Sequence, residues 1–120
     1  MESILISIKN MLGITEDYDA FDATLIMHIN SVFMNLTQLG VGPSKGFFIE
    51  DRSNKWTEFI GENSNLEAIK SYIHLKVKLL FDPPMNSSII NSMNQQINEL
   101  EWRLNVEAES INRREGGQNG

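Results

Sequence analysis

Leu79-Leu80-Phe81-Asp82-Pro83-Pro84-Met85-Asn86 is the stretch that decides the fold. Before it, apolar residues recur at Leu66, Ile69, Ile73, Val77 and Leu80, the three-and-four spacing of one helix face. After it they recur at Ile90, Met93, Ile97, Leu100 and Leu104. The two prolines lack an N–H, and each biases the residue before it away from the α region, so the first helix ends near Phe81. The second restarts once a capping group appears, and Asn86 or Ser87 supplies one. With Asn86 as N-cap, Met85 and Ile90 occupy the two positions of a hydrophobic staple. Phe81, Asp82, Pro83 and Pro84 therefore form a structural corner between two long C-terminal helices.

Working outward toward the N-terminus, Ser64-Asn65-Leu66-Glu67 reads as a capping box that opens the first of these helices. Residues 44–63 are the least regular. Phe47-Phe48-Ile49 reads as a short extended piece, and Lys55 to Ile60 as one helical turn whose Trp56, Phe59 and Ile60 pack on the core. Gly40, Gly42 and Pro43 end a helix over Ala20 to Leu39, with an apolar stripe of Phe21, Leu25, Ile29, Val32, Phe33 and Leu36. Thr15, Asp17 and Asp19 are its candidate caps, and acids at its start suit the helix dipole. Ser3 to Leu12, carrying Ile4, Leu5, Ile8, Met11 and Leu12, is a short amphipathic helix stopped by Gly13. Toward the C-terminus, residues 113–120 are polar and glycine-rich, a flexible tail. The expectation is an all-α compact bundle of four to five helices, one domain over 1–112 with a tail over 113–120.

Composition narrows the function classes. The 120 residues are 41% hydrophobic and 22% charged, ordinary globular usage. A net charge of −6 argues against a general nucleic-acid binder, since phosphate neutralisation needs a basic face, although a local basic strip remains compatible. Without cysteine there is neither a disulfide framework nor a thiolate metal site. No signal pattern opens the chain and no run approaches the ~20 apolar residues of a membrane span. A soluble intracellular domain is expected, and the triplets Asn35-Leu36-Thr37 and Asn86-Ser87-Ser88 are then chance matches to a glycosylation pattern.

The residues offer little for catalysis. His28 and His74 lie on different helices with no carboxylate at ligand spacing, and read as ordinary, partly exposed histidines. Gly40-Val41-Gly42-Pro43-Ser44-Lys45-Gly46 lacks the order of a phosphate loop and reads as a connection. Glu16-Asp17-Asp19-Asp22 lacks calcium-loop spacing, and Glu99 and Glu101 flank an apolar helix face; both groups read as solvated. No activated nucleophile is visible. An enzyme is not expected, nor a cofactor.

What remains is surface. At about 100° per residue, Trp102 and Val106 project from nearly the opposite side of the last helix to its core stripe, and they are adjacent to one another. Either the core wraps this helix on two sides or the patch meets a subunit or partner; tryptophan's enrichment at interface centres favours the second. On the preceding helix Lys70, His74 and Lys78 line one face. A solvated face is the default for them; in a ring the strip meets a neighbour's acidic surface or faces DNA in a central channel.

The block Leu75-Lys76-Val77-Lys78-Leu79-Leu80-Phe81-Asp82-Pro83-Pro84, followed by Ile97-Asn98-Glu99-Leu100-Glu101-Trp102-Arg103-Leu104, resembles the tailed-phage head–tail connector proteins (head completion, or adaptor) of siphophages and prophages. The opening Ile8-Lys9-Asn10-Met11-Leu12-Gly13-Ile14, then an acidic turn and a long helix, is similar to their usual start. The likeness covers most of the chain, with 40–63 the weakest section. It implies a small helical subunit without cofactor or catalysis, which assembles into a ring of a dozen or so copies below the portal. That ring extends the DNA channel, without sequence-specific binding, and offers a platform for the next neck or tail protein. The last helix and tail would carry docking, which makes Ile111, Arg113 and Arg114 interface candidates beside Trp102 and Val106. The location implied is the head–tail junction of a virion, and the bacterial cytoplasm during assembly. The other reading is a non-enzymatic helical adaptor or regulatory protein of a different complex.

Overall fold

The computed structural model describes residues 2–60 and 66–119, with side chains as far as Ser110. Among these residues there are five helices: α1 (Ile4–Leu12), α2 (Asp22–Gln38), α3 (Trp56–Ile60), α4 (Leu66–Phe81) and α5 (Ser87–Asn119). Among the described residues there is no strand, only an isolated bridge between Ser3 and Lys55. The all-α bundle of four to five helices is what the sequence implied. The tail boundary at 112–113 falls inside α5, in the part whose side chains lie outside the described residues.

α4 is the centre. It packs against α1, α2 and α5, and α1 also packs against α2. Its inward residues Ile69, Tyr72, Ile73 and Val77 are buried, each such side chain contributing roughly 1.5–3 kcal/mol of transfer free energy. Two stripe positions differ from expectation. Leu80, in the last turn of α4, is half exposed, while its neighbour Phe81 packs on Phe21 at the start of α2, and Tyr72 takes a core position that the spacing of aliphatic residues hid. From the other side Met93, Ile97, Leu104 and Ala108 of α5 are buried on α4, with Leu100 partly so.

Local signals set the helix ends. Ser3 caps α1 through Ile6 N–H (3.3 Å), and Gly13 ends it at φ 80°. α2 closes with a Schellman pair: Gly40 N–H donates to Thr37 O (3.0 Å) and Val41 N–H to Leu36 O (2.9 Å). Its start departs from expectation, because Phe21 is the N-cap and no side chain caps it. Thr15 and Asp19 instead accept turn hydrogen bonds through their carbonyls, from Tyr18 and Asp22 N–H. The capping box at Ser64 lies outside the described residues. Asn86 caps α5 as expected, accepting from Ser88 N–H (2.8 Å) and Ile89 N–H (3.4 Å). The staple does not form, because Met85 is fully exposed.

The loop between α2 and α3 is irregular but anchored. Phe47 packs against Phe33 and Phe59, with ring centroids 5.0 and 5.3 Å away. Asn30 on α2 holds Ile49 in both directions, Nδ2 to the carbonyl (3.0 Å) and Oδ1 from the N–H (2.7 Å). The expected extended piece is thus tied to a side chain instead of a strand. Trp56 and Phe59 bury as expected, and Trp56 Nε1 donates to Ser7 Oγ (2.9 Å).

Candidate functional site

The corner between α4 and α5 is held by its own residues. Asp82 N–H closes the last turn on Lys78 O (2.9 Å), and the Lys78 ammonium pairs with the Asp82 carboxylate (2.8 Å). Phe81 stands edge-on to Phe21 at 5.1 Å, and Phe21 in turn to Tyr18 at 5.4 Å, so an aromatic chain ties the corner to the start of α2. Further along, Tyr72 Oη donates to Glu101 Oε2 (2.7 Å), joining α4 to α5 across their contact. Burial first, then the Glu101 carboxylate, pushes the Tyr72 phenol well above its ordinary value. At the far end Asn105 Nδ2 donates to Leu39 O (3.2 Å), which fixes α5 against the end of α2.

The strip of Lys70, His74 and Lys78 is less free than its spacing implied. Lys70 pairs with Glu2 (2.8 Å), lies 5.7 Å over the Trp56 ring and has only 13% of its side chain exposed. That hydrogen bond holds the Glu2 carboxyl below its ordinary value. Burial, and then the Lys78 charge, lower the His74 pKa, which keeps the imidazole neutral at pH 7. Two of the three side chains thus spend their charge inside the subunit.

The readings of the acidic groups need correction. Asp22 and Glu101 are not simply solvated. Lys9 is completely buried, and its three donors reach Glu16 O (3.1 Å), Tyr18 O (2.7 Å) and Asp22 Oδ1 (2.8 Å). A buried ammonium must be paired and fully hydrogen-bonded, and the acidic turn folds around it to do so. Glu101 is engaged by Tyr72 and lies 3.9 Å from Lys76. Among the described residues, no group of three or more His, Asp or Glu is placed to hold a metal, and no buried side-chain N or O lacks a partner.

Trp102 and Val106 stand on the outward side of α5, with Trp102 67% exposed. The intramolecular core therefore does not wrap the helix on both sides. They line an open groove of ≈ 390 Å³ together with Ala68, Leu104 and Ser110. The side chains of Ile111, Arg113 and Arg114 lie outside the described residues. A second apolar surface escaped the sequence reading: Met27 and Met34 on the outward side of α2 are 62% and 65% exposed, with Phe48 exposed on the neighbouring loop. The signal that was there to find is charge. From Ala23 to Ile49 the chain has no acidic residue, in a protein with 16 Asp and Glu.

These features are those of a small helical subunit with exposed apolar residues on its two outer helices. The chain belongs to the phage connector protein family, whose profile matches residues 4–110. No curated protein and no solved structure matches it. The family is one of phage structural proteins, and none of the described helices is long and apolar enough to cross a membrane.

Proposed function

We propose that this protein is the head–tail connector subunit of a tailed bacteriophage or prophage, forming a closed ring that docks on the portal. The ring extends the DNA channel and presents a platform for the next neck or tail protein. The observation that carries this reading is the family match over residues 4–110, nearly the whole chain. The exposed Trp102–Val106 patch supports it, because a large apolar patch on a small subunit marks a contact with another protein. A ring of identical copies uses two different faces of each subunit, a heterologous contact that closes when the rotation divides the circle.

The Lys70–His74–Lys78 strip fits a lining or a subunit contact in such a ring. With Lys70 and Lys78 paired to Glu2 and Asp82, and His74 neutral, it would hold passing DNA only weakly. Arg113 and Arg114 are assigned to the portal contact, where they would meet carboxylates of the partner. Sedimentation of the chain with and without an isolated portal ring tests the assignment. Co-sedimentation in a fixed ratio is expected, and a chain that neither self-associates nor binds the portal rejects it.

A further inference from the structure

We propose that the outward face of α2, built on Met27 and Met34 with Phe48 beside them, receives the Trp102–Val106 face of α5 from a neighbouring copy of the chain. This rests on the ring reading above and names both halves of its subunit contact.

Four observations lead there. First, the two faces lie on opposite sides of the molecule. α4 is sandwiched between α2 and α5, and on each outer helix the exposed apolar residues stand opposite the buried ones. On α2, Met27 and Met34 are two turns apart on the side away from Leu25, Ile29, Val32 and Leu36. On α5, Trp102 and Val106 stand away from Ile97, Leu104 and Ala108. Opposite faces are what a head-to-tail contact between identical copies requires.

Second, the charges suit each other. The α2 face belongs to the acid-free stretch from Ala23 to Ile49, whose charged residue is Lys45. The α5 segment from Glu99 to Glu109 holds four glutamates and one arginine; Glu101 turns to Tyr72 on the α4 side and Glu99 lies 3.7 Å from Arg103, and the segment as a whole stays acidic. In a chain of net charge −6 most pairings of surfaces would set acid against acid, and this one does not.

Third, the shapes and chemistry agree. Beside Trp102 and Val106, on the flank of α5 toward Ala68 of α4, runs an open groove of ≈ 390 Å³ whose lining also includes Leu104, Arg103 and Glu107. Methionine is the adaptable side chain for filling such a space, and its sulfur makes favourable contacts with aromatic rings. Phe48 is held out beside the methionines because Phe47 and Ile49 on either side of it are fixed inward.

Fourth, the heights match. Asn105 bonds to Leu39 O at one end, and Phe21 stacks with Phe81 at the other, so α2 and α5 run in the same direction. Counting back from that shared level, Met34 is five residues down α2 and Trp102 three residues down α5. The difference of two residues is about 3 Å along the axis at 1.5 Å per residue. A closed ring has no rise from copy to copy, and two patches at one height meet that condition when the helices run along the ring axis.

Complementation of two broken faces tests the contact. Met34→Glu spoils the α2 face and leaves the α5 face; Trp102→Glu does the reverse. Each variant alone should sediment as a monomer under conditions where the unaltered chain assembles, with an unchanged melting temperature. An equimolar mixture should give a dimer and stop there, because one intact pair of faces remains. As a second measurement, the chain has no cysteine, so Met34→Cys with Val106→Cys on one chain should give a disulfide-linked ladder on mild oxidation, and neither single variant should cross-link. Variants that still assemble, a mixture that stays monomeric, or dimers from a single-cysteine chain would overturn the contact while the ring reading stands. An unaltered chain that stays monomeric at high concentration and on an isolated portal ring overturns the ring reading itself.

Discussion

At the scale of single residues, Lys9 shows how a charge in an apolar helix organises its surroundings. Its stem shares the buried side of α1 with Leu5 and Ile8, while the ammonium gathers Glu16 O, Tyr18 O and Asp22. Lys9→Met keeps the stem and removes the donor to all three acceptors, of which Glu16 O (3.2 Å) and Asp22 (3.6 Å) are still reached by Arg52. Stability should fall by about 3 kcal/mol, the low end for breaking a buried pair, because Asp22 stays partly exposed and Arg52 lies 3.6 Å from it. Urea denaturation measures this, and a change below about 1 kcal/mol would reduce the pair to a surface interaction. Two glycines separate backbone strain from crowding. Both have positive φ, but a Cβ on Gly13 meets nothing within 4 Å, whereas on Gly42 it would lie 2.3 Å from Phe59 Cε1. Gly13→Ala should cost about 1 kcal/mol from backbone strain alone. Gly42→Ala should cost roughly 2–4 kcal/mol, since the Phe59 ring must also give way inside its aromatic cluster. Equal losses in thermal unfolding would mean that the ring moves aside freely.

At the scale of elements, the α4–α5 pair is joined by a corner at one end and a polar clasp further along. Tyr72→Phe removes the clasp to Glu101 and should cost about 1.5 kcal/mol at neutral pH, as for a hydrogen bond to a charged group. The tyrosine also sets a pH dependence. Its folded pKa is raised above the ordinary 10.0, so the folded state keeps a proton that the unfolded chain gives up. The stability this contributes is complete below about pH 10 and is lost as pH rises toward the folded value. Denaturation midpoints should therefore fall more steeply above pH 10 for the unaltered chain than for Tyr72→Phe; parallel curves would disconnect the phenol from alkaline unfolding. The corner makes a different prediction. Replacing Pro83 and Pro84 together by alanine lets helical geometry run on through Asp82. Helix content by circular dichroism should stay the same or rise slightly, while assembly is impaired because α5 leaves α4 at another angle. Undiminished incorporation of that variant into infectious particles would show that the turn angle does not matter.

At the scale of the whole molecule, the chain is a flat body of 50 × 35 × 19 Å, three long helices side by side with α1, α3 and the loop closing one edge. Such a body has two broad sides and two outer helices, and the exposed apolar residues stand on those outer helices. The proposed docking to the portal is tested at this scale as well. Arg113 and Arg114 come after the glutamates of α5 in the same helix, and the stretch through Gly-Gly-Gln-Asn-Gly has no apolar anchor of its own. Deleting residues 112–120 should leave stability within roughly ±0.5 kcal/mol, as for surface changes generally. Portal binding should weaken, and the difference from the full chain should be largest at low salt, where charge pairing is least screened. Equal binding of both forms across ionic strengths would remove the segment from docking.

The sequence by itself determined the helices, because their signals are local. Ser3, Gly13, Gly40, Asn86 and the Pro83-Pro84 pair act within a turn of where they stand, and the three-and-four spacing of Ile69, Ile73, Val77, Ile97 and Leu104 names the faces that bury. Periodicity placed Trp102 and Val106 opposite the core stripe, and the structure decided that this side is exposed. The tertiary structure alone decided what depends on a partner distant in the chain. Lys9 looked like any helix lysine until the acidic turn folded over it, and Lys70 looked free until Glu2, 68 residues away, met its charge. Asn30 gives no sign in sequence of clasping Ile49, nor Tyr72 of reaching Glu101. Met27 and Met34 read as ordinary helix residues, and their standing as an open face required knowing that among the described residues both stay exposed on that side of α2. Periodicity tells which residues share a side of a helix, but packing decides which sides stay uncovered.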